Sequence, residues 1–125
     1  MVRKYVMIHH SLTPDSGSLS WGAIRKYHTE VKGWQDIGYH YGVELIDGNY
    51  EVLVGRPEDW AGAACKEGHM NELAFQVCCV GDFDTAPPSQ ELLDKLVNYI
   101  VFPLIKRNGI SPDNILGHRD YATYK

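Results

Sequence analysis

The 125-residue chain is short of several features that would narrow its role at once. It has no excess of basic charge: twelve Lys and Arg face sixteen Asp and Glu, for a net charge of -4. Nucleic-acid binders carry a basic face, so no nucleic-acid partner is expected. Cysteine is scarce and badly placed for cross-linking. Cys65, Cys78 and Cys79 are odd in number, two are adjacent, and none forms a CxxC pair. That pattern argues against a disulfide framework and for buried free thiols. Long hydrophobic runs are also missing. The apolar stretch after Met1-Val2-Arg3-Lys4 ends at His9, too short for a signal peptide core or a membrane span. The expectation is a protein that is cytoplasmic as synthesised, without membrane insertion.

What is present fits one compact domain over 1–125. The composition is that of a globular protein, 44% hydrophobic and 22% charged, and at this length a core can form without staples. Tyr5-Val6-Met7-Ile8 reads as a buried strand with His9, His10 and Ser11 at its C-terminal end. Ser20 is placed to cap a helix with Trp21, Ile24, Tyr27, His28 and Val31 on one face, closed by Gly33. Residues 39–46 and 50–54 read as two strands around the tight-turn pair Asp47-Gly48. Alternation puts Tyr39 and Tyr41 on one strand face and His40 on the other. Residues 55–71 read as an irregular loop. Residues 73–80 are almost wholly apolar, as in a central strand covered on both faces. Ser89 caps a long helix whose apolar pairs recur every four residues, with Pro103 loosening its last turns and Asn108-Gly109 closing it. Asn114–Gly117 is a short last strand that ends at His118. The predicted fold is α/β: a central mixed sheet flanked by helices.

Chemistry in such folds gathers at strand ends. His9 ends the first strand and His118 follows the last, and two neutral imidazoles at one sheet edge are a common start for a zinc site. A pair so far apart in sequence is more often unrelated, so on spacing alone the signal is weak. His10 points away from His9 if both lie on a strand. His28 reads as a core histidine on an apolar helix face, and His69 as solvated.

Taken together, several segments resemble a known family. They are Ile8-His9-His10-Ser11, Gly33-Trp34-Gln35-Asp36-Ile37-Gly38-Tyr39-His40-Tyr41, Gly62-Ala63, Val80-Gly81-Asp82-Phe83 and Ile115-Leu116-Gly117-His118-Arg119-Asp120. Their order and spacing are similar to the zinc amidase domain shared by bacteriophage N-acetylmuramoyl-L-alanine amidases and peptidoglycan recognition proteins. The minimal length and missing disulfide pattern suggest the phage type. The resemblance implies Zn2+ held by two histidines, matching His9 and His118, and a cysteine. It also implies a catalytic tyrosine at Tyr39 and an assisting residue at Lys125. The cysteine position falls just beyond residue 125, so the domain is expected to lack its extreme C-terminus. Ala64 stands where many members carry a histidine facing the substrate. The implied function is hydrolysis of the amide between N-acetylmuramic acid and L-alanine in bacterial peptidoglycan. That is a cell-wall lytic, endolysin- or autolysin-like role of phage or prophage type, reaching the wall through a holin-type delivery partner. The alternative is a peptidoglycan-binding module that does not cleave.

Overall fold

The computed structural model describes residues 2–11, 20–81 and 87–117. Five strands form one mixed sheet in the order β3-β2-β4-β1-β5. β1 (Tyr5–His10) lies between β4 (Ala74–Cys79) and β5 (Ile115–Gly117), parallel to both. β2 (Tyr41–Ile46) runs parallel to β4 and antiparallel to β3 (Asn49–Val54). The hairpin turn at Asp47-Gly48 has positive φ at both residues, 51° and 85°. A two-residue turn that follows the strand twist requires this geometry.

Every residue of β4 is buried, as its nearly continuous apolar run predicts. Alternation along β1 and β4 divides the core between the two sheet faces. Val6, Phe75, Val77 and Cys79 pack against Leu92, Leu96, Ile100, Val101 and Leu104 of the C-terminal helix. Cys78 and Val80 turn the other way, onto Trp21, Ile24 and Ile37. Met7 and Ala74 share that second face with Cys65 and Met70. All three cysteines are buried as reduced thiols, in keeping with their reading as packing thiols.

The long helix comprises α3 (Gln90–Lys95), wider turns over Leu96–Val101, and α4 (Phe102–Asn108). Ser89 accepts a hydrogen bond from the Leu92 N–H as its cap. The wider i→i−5 turns stand immediately before Pro103, where Phe102 N–H reaches back to the Val97 carbonyl. A proline has no N–H to give and crowds the preceding turn, so the helix widens locally instead of breaking. Gly109 closes it with φ 63°.

On the opposite face α1 (Trp21–Lys26) starts at Ser20, whose hydroxyl accepts from the Ala23 N–H, and continues in wider turns over Tyr27–Val31. Only Trp21 and Ile24 of its predicted apolar face are buried; Tyr27 and Val31 are exposed. The widened turns shift their angular positions away from a 3.6-residue stripe. Trp21 lies on Gly42 so closely that a methyl there would stand 2.2 Å from the indole ring. The loop after β3 contains a short turn at Glu67–His69 and one helical turn, α2 (Met70–Leu73). Arg3, buried under this loop, donates to the carbonyls of Asn71, Glu72, Ala74, Glu58 and Trp60 and so ties both ends of the loop to β1.

Candidate functional site

The site grows from the C-terminal end of β1, where His9 is buried. Its Nε2 lies 2.6 Å from Gln76 Oε1, and its ring centroid is 5.3 Å from that of Tyr39. Tyr39 also touches Trp21 at 6.1 Å and His28 at 5.9 Å. It packs against the cluster that contains Cys78. Burial, chiefly, pushes both the phenol and the thiol far above their ordinary values. Tyr39 is therefore a neutral phenol at neutral pH, suited to donate a proton in a hydrogen bond.

Tyr39 and Tyr41 do not share a face. Regular pairing starts at Tyr41 instead of Tyr39. Tyr39 joins the Trp21 cluster, whereas Tyr41 packs on the helix side and its hydroxyl donates to Glu58. The backbone has left the regular pleat at His40, whose N–H bonds the Gln76 carbonyl and whose carbonyl accepts from Gly55.

His28 departs from its sequence reading as well. It is half-buried and lines a cavity of about 390 Å³ with His10, Ser11, Ile24, Tyr27 and Tyr39. Its Nδ1 accepts the Gly38 N–H at 3.0 Å, so its neutral form carries hydrogen on Nε2. Burial, then Lys32 and Arg56, lower its pKa. The His28 ring packs at a tilt with its centroid 4.6 Å from that of Trp34, and Trp34 walls a second groove of about 510 Å³ with Lys32, Ala63, Ala64, Lys66 and Asn71. Two concavities thus flank the His28–Trp34 pair, a shape fit for an extended ligand. Ala64 stands in the second, its N–H held by the Asn71 side chain.

His118 and Lys125 lie outside the described residues. The register nevertheless pairs Ile8, which precedes His9, with Gly117, which precedes His118. Among the described residues no three His, Cys, Asp or Glu side chains form a metal-binding group. Cys78, the cross-strand partner of His9, packs with Tyr39, and burial keeps its thiol protonated. Cys65 packs with Met7 and Met70.

The end of β1 thus carries His9 against Tyr39, just ahead of β2, beside an aromatic-walled cleft. The sequence profile described as N-acetylmuramoyl-L-alanine amidase matches residues 2–125, and the chain belongs to that family. Peptidoglycan-recognition protein LB of Drosophila melanogaster is 32% identical over 92% of this chain and 50% of its own length. The human N-acetylmuramoyl-L-alanine amidase is 27% identical over 92% of this chain and 20% of its own. The chain therefore spans half or less of these relatives. A Drosophila PGRP-LB mutant in complex with tracheal cytotoxin superposes with a TM-score of 0.75 at 29% identity, covering 97% of this chain and 72% of that one. The amidase LysC of Clostridium intestinale shares the fold, with a TM-score of 0.79 at 22% identity over 96% and 72% of the two chains. These sequence relatives are animal proteins, so short length and missing disulfides do not by themselves draw the chain to the phage type. Nor do they speak for a holin-type partner.

Proposed function

We propose that the chain is a zinc-dependent N-acetylmuramoyl-L-alanine amidase, hydrolysing the amide between the lactyl group of N-acetylmuramic acid and L-alanine in bacterial peptidoglycan. The observation that carries this reading is the pairing of His9 with a neutral Tyr39 at 5.3 Å beside the cleft, in a chain matched by the amidase family from residue 2 to 125. The donors present suit zinc: His9 is buried, held on one ring nitrogen, and placed at a sheet edge beside the strand that leads to His118. His9 and His118 would hold the ion, with a third ligand from outside the described residues. Bound there, zinc supplies Lewis acidity to the scissile carbonyl and to water. Tyr39 gives its hydroxyl hydrogen in a charge-assisted hydrogen bond to the charge that develops on the carbonyl oxygen. Lys125 is the second candidate donor for that charge. His28, Trp34 and the two concavities bind and orient the glycan and stem peptide.

A second reading, muropeptide recognition without cleavage, draws on Ala64 where many members carry a histidine, and on relatives named for recognition. Mass spectrometry of purified peptidoglycan incubated with the zinc-loaded protein separates the two. Released stem peptides with a free L-alanine amino group establish the amidase. Intact glycan–peptide that co-sediments with the protein, with no release, establishes recognition alone.

A further inference from the structure

Gln76 is the one amide in the middle of β4, and it is fully buried among apolar neighbours. A buried carboxamide is tolerated only where its polar atoms are paired. Its Nε2 donates to the Met70 carbonyl at 2.9 Å. A carbonyl can only accept, so this contact fixes which way the amide faces. The oxygen then points at His9, with Oε1 2.6 Å from Nε2. A carboxamide oxygen also only accepts, so the His9 hydrogen resides on Nε2 and the lone pair on Nδ1.

The amide has little freedom to turn. The Gln76 backbone is bound to His40 at both ends: its N–H donates to His40 Nδ1 at 2.9 Å, and its carbonyl accepts the His40 N–H at 2.8 Å. Gly62 closes over the side chain, and a methyl there would lie 2.6 Å from Gln76 Cγ.

We infer that Gln76 is a positioning residue: it locks His9 in the Nε2–H tautomer and fixes its ring plane, so that Nδ1 is the nitrogen offered to a metal. Partners of this kind fix the tautomer and orientation of ligating histidines in metal sites. The functional consequence rests on the zinc reading; the tautomer itself does not.

Long-range proton–nitrogen NMR correlations on the metal-free 125-residue protein, with the His9 signals assigned through His9→Ala, read the tautomer directly. The expected result is Nε2–H in the wild type, loss of that preference in Gln76→Met, and its retention in Gln76→Glu, which keeps an acceptor. An Nδ1–H tautomer in the wild type overturns the inference, whether or not the variants fold. So does a folded Gln76→Met with an unchanged His9 spectrum. Chelator-competition titration gives the second readout, with zinc affinity expected to fall about 10- to 100-fold in Gln76→Met. A wild-type protein that shows Nε2–H but takes up no zinc supports the positioning role and sinks the zinc reading.

Discussion

Acidification should destabilise this protein through one buried histidine. His40 is fully buried, and its neutral form uses both ring nitrogens. Nδ1 accepts the Gln76 N–H, and Nε2–H donates to the Trp60 carbonyl at 2.8 Å. Burial is the main cause that moves its pKa from 6.5 down to about 4. The Trp60 carbonyl and Glu58 pull it back up, while Arg3 and Arg56 push it further down. The folded pKa lies below the unfolded one, so as pH falls the unfolded chain takes the proton first. The stability from this group is complete above about pH 6.5 and is lost as pH falls toward 4. At about 1.36 kcal/mol per unit, the loss is about 2 kcal/mol by pH 5 and about 3 kcal/mol by pH 4. Urea denaturation at stepped pH measures the total loss, and NMR titration of the His40 ring in the folded protein isolates its share. A His40 that titrates near 6.5 in the folded state refutes the reasoning.

Other substitutions test other contacts. Tyr39→Phe removes the proposed donor and should lower turnover on purified peptidoglycan by roughly two to three powers of ten with the fold intact; unchanged turnover would remove Tyr39 from the chemistry. Gly42→Ala puts a methyl 2.2 Å from the Trp21 ring and should cost about 1–3 kcal/mol in a urea melt, with a change in Trp fluorescence. Arg3→Met leaves carbonyls of residues 58, 60, 71, 72 and 74 without their donor and should cost at least about 3 kcal/mol, loosening the loop by hydrogen exchange before the sheet.

Local signals carried far in this chain. Ser20 and Ser89 cap the helices they were expected to cap, Asp47-Gly48 makes the turn, and the apolar run at 73–80 is the central strand. Each of these depends on chemistry within a few residues. The missed features depend on contacts across the chain. Gln76 reads as a flaw in an apolar strand until His9, sixty-seven positions away, supplies its partner. His28 has the spacing of a core residue, but the widened turns beneath it rotate it to the cleft wall. Tyr39 and Tyr41 split between faces because the chain leaves the pleat at His40, bonded to Gln76 on one side and Gly55 on the other. Arg3 is buried because five carbonyls far from it in sequence converge on it. The pairing of His9 with Tyr39 was legible only through resemblance to a family, since nothing in the spacing of residues 9 and 39 brings them together.

The central claim is that His9 and His118 hold zinc. Elemental analysis after zinc loading tests it most directly, on the chain beside its His9→Ala and His118→Ala variants. The account predicts about one zinc per chain, abolished by either substitution. No zinc in the wild type, or zinc retained by both variants, would contradict it.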